Sequence, residues 1–206
     1  MPRDGFYEES AISSRSQAEE KLYTTFKVFA IIFFIIGGFI LTFAFAFVPN
    51  VLQGTVGEDG TVDTLTRIFA LVEYFLAIAA LIGAGLIFWF FKNRFNLSYD
   101  YTFVEDEIRI TKVFNGKKRK FLYTIKADRI LAIGWVESDA FERATRGFNT
   151  KKIKKCTPNK ECPEGKEWIY ITQSTSLEKA IYVLECRRQL LENIVFAAGR
   201  NKLEKK

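Results

Sequence analysis

Two stretches of this chain have no polar face. Val28–Val48 runs 21 residues without a charge, and Ile68–Phe91 runs 24 residues with one, Glu73. At about 1.5 Å rise per residue the first makes a helix of roughly 31 Å, against a hydrocarbon core about 30 Å thick. The second, at roughly 36 Å, is long enough to tilt. A helix on the surface of a soluble domain carries a polar stripe, and Phe29–Ile36 has none. A cleaved leader would have a short basic head and a shorter apolar run. Here 27 residues rich in Glu and Ser come first. The pattern predicts a transmembrane helical hairpin.

From Asn96 the period changes to two. Leu97, Tyr99, Tyr101 and Phe103 share one face of a strand, and Ile108, Ile110 and Val113 mark a second after the turn at Glu105-Asp106-Glu107. Asn115-Gly116 signals a tight hairpin, because a primed turn needs positive φ at both central residues. A third strand passes through Phe121 and Tyr123. Following a turn at Lys126–Arg129, a fourth carries Ile130, Ile133 and Trp135. Ser138–Lys166 then reads as a long polar inserted loop, and Glu167–Thr172 as a strand. Thr175-Ser176-Leu177-Glu178 resembles a capping box, yet Ala180–Glu185 is β-branched and aromatic enough for a strand, which is the preferred reading. A helix over Arg187–Ala198 buries Leu190, Leu191, Ile194 and Val195 and stops at Gly199.

The expected fold class is therefore an α+β membrane protein: a hairpin of transmembrane helices, then an antiparallel β domain closed by a C-terminal helix. Its divisions are an N-terminal tail (1–27), a first span (28–48), an outer loop (49–67), a second span (68–91), and a domain over 96–206 with the 138–166 insertion.

Charge adds sidedness. Arg15, Lys21 and Lys27 precede the first span, and Lys92 and Arg94 follow the second. Pro49–Thr66 holds Glu58, Asp59 and Asp63 and no Lys or Arg. The positive-inside rule puts both termini in the cytoplasm of a two-pass plasma-membrane protein. From Lys92 onward 25 Lys and Arg face 15 Asp and Glu; before it the numbers are 5 and 9. A basic domain beside a cytoplasmic leaflet is attracted to anionic lipid. Gly38, Thr42 and Ala46, with Ala79/Gly83 and Ala80/Ala84, form small-residue stripes suited to helix packing, within the hairpin or between copies. Glu73 is the intramembrane polar group; it reads as an interfacial or helix-pairing carboxylate, or as the centre of a small transporter subunit.

The strand series resembles the bacterial pleckstrin-homology-like (PH-like) domain. The resemblance covers Asn96–Leu203. It is carried by Tyr101-Thr102-Phe103, Glu107-Ile108-Arg109-Ile110, Lys118-Arg119-Lys120 before Ile125-Lys126-Ala127-Asp128-Arg129-Ile130, and Leu190-Leu191-Glu192-Asn193-Ile194. With the hairpin attached, the chain is similar to small bacterial membrane proteins of this kind. The resemblance implies a non-catalytic role: binding a protein, a peptide or lipid headgroups, or assembling with its own copies. Pleckstrin domains that bind inositol phosphates often carry basic residues between their first two strands. With strands counted from Asn96 that turn is Glu105-Asp106-Glu107, which disfavours such a ligand.

Arg143, Arg146, Lys151, Lys152, Lys154 and Lys155, interleaved with Phe148 and Ile153, form the candidate lipid-headgroup site, the alternative being a solvated loop. Lys112, Lys117, Lys118, Arg119 and Lys120 form a second basic group, read as an exposed strand face; no nucleic-acid motif accompanies it. Cys156, Cys162 and Cys186 with no His fall short of a structural zinc set. No phosphate-binding, nucleophile-elbow or metalloprotease motif is present. No cofactor, no metal and no enzyme activity is expected. The expected partners are the bilayer, anionic lipids, and a protein or a second copy.

Overall fold

A computed structural model of the chain describes residues 6–53, 64–146, 153–174 and 179–204. In chain order the elements are β1 (Phe6–Ile12), α1 (Ser16–Gln53), α2 (Thr64–Phe91), β2 (Leu97–Val104), β3 (Glu107–Phe114), β4 (Lys118–Lys126), β5 (Ile130–Trp135), α3 (Asp139–Thr145), β6 (Ile153–Lys155), β7 (Glu167–Ser174), β8 (Lys179–Cys186) and α4 (Arg188–Ala198). They fall into two units: Glu19–Phe95, and the segment ending at Ala18 together with everything from Asn96 onward.

The second of these is an α+β domain of two four-stranded sheets, ordered β1-β2-β3-β4 and β5-β7-β8-β6. The turns are where the sequence puts them. Glu105 and Asp106 have φ of 50° and 59°, Asn115 and Gly116 50° and 65°. Both pairs are left-handed turn centres: Glu105-Asp106 makes a two-residue hairpin, and Asn115-Gly116 begins the three-residue connection that ends at Lys117. A bulge at Leu122 shifts the β3–β4 register between Ile110 and Thr111. Inward residues of both sheets, among them Tyr101, Ile110, Ile125, Ile133, Ile171 and Leu184, form one core that α4 closes. The helix buries Leu190, Leu191, Ile194 and Val195 as its spacing predicts, and Asn193 with them.

Three features depart from the sequence reading. Part of the segment read as an N-terminal tail is a strand: β1 pairs antiparallel with β2 from Phe6↔Val104 to Ile12↔Ser98. Its inward set is Tyr7, Glu9 and Ala11, and Ala11 is wholly buried. Two of those three residues carry no hydrophobic-strand signal, which is why the periodicity is silent there. The domain therefore does not begin at Asn96. Both helices lie between its first two strands.

The insertion at 138–166 also contains regular structure. Ser138 starts α3 by accepting a hydrogen bond from the Phe141 amide, and β6 adds to β8 in parallel, Ile153↔Ile181 to Lys155↔Val183. Phe141, Ala144 and Ile153 pack over Tyr170, Ile181 and Val183 on the outer face of the second sheet. The strand reading of 180–185 is borne out by β8. The capping-box residues 175–178 lie outside the described residues.

In the other unit, α1 starts at Ser16, twelve residues before its apolar block, with Glu19 in its first turn facing the positive end of the helix dipole. Two helical stretches, Ser16–Pro49 and Arg67–Arg94, are long and apolar enough to cross a membrane, with 12% and 11% of their most apolar windows buried. The helices meet through Phe88, whose ring lies 5.3 Å from Phe26 and 5.6 Å from Phe33, and through the Tyr74 hydroxyl, which donates to the Ile40 carbonyl. The close approach is not at Gly38 or Gly83, which have open space beside them. It is at Gly37, where a Cβ would lie 3.2 Å from Ile82, and at Gly85, where it would lie 2.8 Å from the Phe34 ring. Glu73 is exposed on α2 and makes no ion pair among the described residues.

Candidate functional site

The best-ordered polar constellation of the domain is one that no sequence pattern announces. Glu185 on β8 points to the outer face of the second sheet and is fully buried. Its Oε2 accepts from Thr157 Oγ1 at 2.6 Å and Asn159 Nδ2 at 2.7 Å, and its Oε1 pairs with Lys166 Nζ at 3.1 Å. Lys166 also donates to the Ser10 carbonyl at 2.9 Å and lies 3.7 Å from Glu9. Glu9 in turn accepts from the Arg187 amide at 3.0 Å. Asn159 holds the end of β1 and the turn after it: Nδ2 donates to the Ile12 carbonyl at 3.0 Å, and Oδ1 accepts from the Ser14 amide at 2.7 Å.

Every charge here has an opposite charge or several donors, which is what makes burial tolerable. The cluster clamps three separate segments: β1, the 156–166 stretch and the end of β8. Its groups are consumed in holding one another, so it positions rather than binds. Tyr101 completes the clamp by donating to the Cys156 carbonyl, and burial pushes its phenol well above the usual range. Burial likewise raises Cys186 and pushes Cys156 up to about 12, so both thiols are protonated and inert. Cys162, partly exposed, is raised by burial and then by Glu185, Glu137 and Glu167.

The predicted lipid-headgroup residues divide. Arg143 and Arg146 are exposed on α3 and at its end, and Lys154 and Lys155 are on β6. Lys151 and Lys152, with Phe148, lie outside the described residues. α3, which carries Arg143 and ends at Arg146, packs over the outer face of the second sheet, and β6, which carries Lys154 and Lys155, is the edge strand of that sheet. Ile153, a candidate membrane anchor by sequence, is instead packed against that sheet. Lys155 is committed to the Trp168 ring, 4.7 Å from its centroid.

The second basic group is on β3 and β4. Lys112 lies over the Tyr99 and Phe114 rings at 5.6 and 5.3 Å, and Arg119 approaches Asp100 at 3.5 Å. Lys118 and Lys120 are exposed. At the other end of β3, Glu107 of the acidic turn lies 2.9 Å from Lys126 and 3.8 Å from Arg109. That turn joins β2 to β3. The connection between the first two strands is the helical unit itself, so the acidity of Glu105–Glu107 does not bear on an inositol phosphate between those strands.

Two sheets around one core, antiparallel apart from β6 and closed by a C-terminal helix, make this domain PH-like. Residues 61–202 match the family described as bacterial PH-like domain (DUF6106), and the chain belongs to that family. The match takes in α2 and runs through α4, leaving β1 and α1 upstream of it. No curated protein and no solved structure matches the chain.

Proposed function

We propose that this protein is a non-catalytic membrane adaptor, whose PH-like domain is held at the cytoplasmic face of the plasma membrane and recruits a protein or a second copy. The observation that carries the reading is the insertion of two apolar, outward-exposed helices between paired strands. Since β1 and β2 belong to one sheet, the chain before α1 and after α2 must be on one side of any bilayer the helices cross. Two crossings satisfy that requirement, and the Lys and Arg of the flanks favour the cytoplasm. Water-exposed Phe39, Phe69, Leu76 and Phe90, each about two-thirds accessible, would be costly in water and are at home in lipid.

Alkaline-phosphatase fusions at Gly57 and Lys206 test the sidedness: activity is expected at Gly57 only. Co-purification from detergent tests the adaptor role. The full chain is expected to retain partners that a variant reduced to residues 13–96 loses; partners kept by that variant would reassign the binding to the helices.

The placement of Arg143 and Arg146 on and at the end of α3, over the outer face of the second sheet, and of Lys154 and Lys155 on that sheet's edge strand favours a second reading, contact with anionic headgroups. A minimal domain in which a two-residue turn replaces 13–96, joining Ile12 to Leu97, is expected to float with anionic vesicles and not with neutral ones. Equal flotation with both would remove this reading.

A further inference from the structure

The first sheet has a free edge at β4, which pairs with β3 and with no other strand among the described residues. Lys118, Arg119, Lys120 and Phe121 are all exposed there. The register sets Lys120 directly across from Lys112, a like-charge pair that costs stability. Lys118 lies on the same face, and Lys117 is in the turn just before it. Neither these two nor Lys120 makes an ion pair among the described residues. Lysine on an edge strand ordinarily blocks pairing with another copy, because two such edges repel. The same row of charges attracts a strand of opposite sign, and the open backbone groups can then extend the sheet.

We propose that β4 is the docking edge for an extended acidic segment of a partner protein, added as a further strand. Successive side chains of a strand alternate between faces, so acidic residues at every second position meet Lys118 and Lys120 and neutralise the opposed Lys112. The intervening residues share the face of Phe121, which suits apolar or β-branched side chains. The β4 edge of a second copy carries the same lysines and is repelled from this one, so the partner assigned to the edge is a different protein. This assignment rests on the adaptor reading and names its surface.

The test uses the full chain in nanodiscs of neutral lipid, with a labelled peptide of alternating Glu and Val as probe. A control peptide of equal charge carries Pro in place of Val, which removes half of its backbone N–H donors and disfavours the strand conformation. The Glu-Val peptide is expected to bind, and the Pro peptide to bind about tenfold more weakly, a difference of about 1.4 kcal/mol. The double variant K118E/K120E is expected to lose the Glu-Val peptide by at least as much and to accept a Lys-Val peptide instead, which shows that the variant remains folded. Equal binding of the Glu-Val and Pro peptides would overturn the proposal in favour of simple attraction for any polyanion, lipid headgroups included. Absence of binding, or binding unchanged in the variant, would overturn it outright. Should these fail while the full chain still captures partners that residues 13–96 do not, the edge is wrong and the adaptor reading stands.

Discussion

The two edges of the first sheet have opposite designs. At β1 the outer edge is locked: Glu9 accepts the Arg187 amide, Lys166 reaches the Ser10 carbonyl, and Asn159 holds the Ile12 carbonyl. At β4 the edge is bare: Arg119 and Lys126 reach Asp100 and Glu107, but Lys118 and Lys120 meet no carboxylate among the described residues. The locked edge spends charged groups on the fold. The bare edge keeps them for something outside it. Charge on a strand is therefore not by itself a sign of binding; whether the charge is already satisfied within the chain is what distinguishes the two.

That contrast is sharpest at Glu185. Glu185→Ala would strand Lys166, Thr157 and Asn159 in a buried site, and about 3–5 kcal/mol of stability should go with it, read by thermal melting of the detergent-solubilised chain. A loss below about 1 kcal/mol would mean the lock is wet and dispensable. Next comes Gly134→Ala. A Cβ at that position would meet the Tyr170 ring at 2.7 Å, and the same ring donates through its hydroxyl to Glu204, so it is not free to swing away. About 1–3 kcal/mol of destabilisation is expected.

Alkaline pH probes the locked side by another route. The Cys156 thiol goes from 9.0 in the open chain to about 12 when folded. Between those values the unfolded thiol has lost its proton while the folded one keeps it, so rising pH favours unfolding. The contribution is intact below pH 9.0 and is lost on the way to about 12. Cys156→Ala should flatten the melting-temperature profile across that window. In native labelling at neutral pH, Cys162 should react first but more slowly than an ordinary thiol, its pKa being raised, and Cys156 and Cys186 only after unfolding.

The smallest expected effect is on the open edge. Lys120→Glu relieves its opposition to Lys112 and should change stability by a few tenths of a kcal/mol, about 0.2–1 at most, in the stabilising direction. A large loss there would make β4 as structural as β1.

Much of the domain was legible because its core strands alternate. Tyr99, Tyr101, Phe103, Ile108 and Ile110 announce β2 and β3, and the turn dipeptides set their register. β1 was illegible because Glu9 occupies an inward position, and a buried glutamate looks like a surface residue until its partner Lys166 is known. That partner is 157 positions away, beyond the reach of any local pattern. The insertion hid α3 and β6 for a related reason: each is short, and each is stabilised by Tyr170, Ile181 and Val183 on distant strands rather than by its own periodicity. Of the basic site, the clustering of charge was visible in the sequence, whereas the withdrawal of Lys155 onto Trp168 was not.

The pairing of Ser10 with Asp100 spans 90 positions, and the whole helical unit lies between them in the chain. During synthesis, β1 leaves the ribosome first and must wait, without its neighbour, until both greasy helices have been made. Only then can β2 arrive to receive it. Closure of the first sheet is thereby tied to completion of both helices, and until then β1 has no neighbouring strand to pair with.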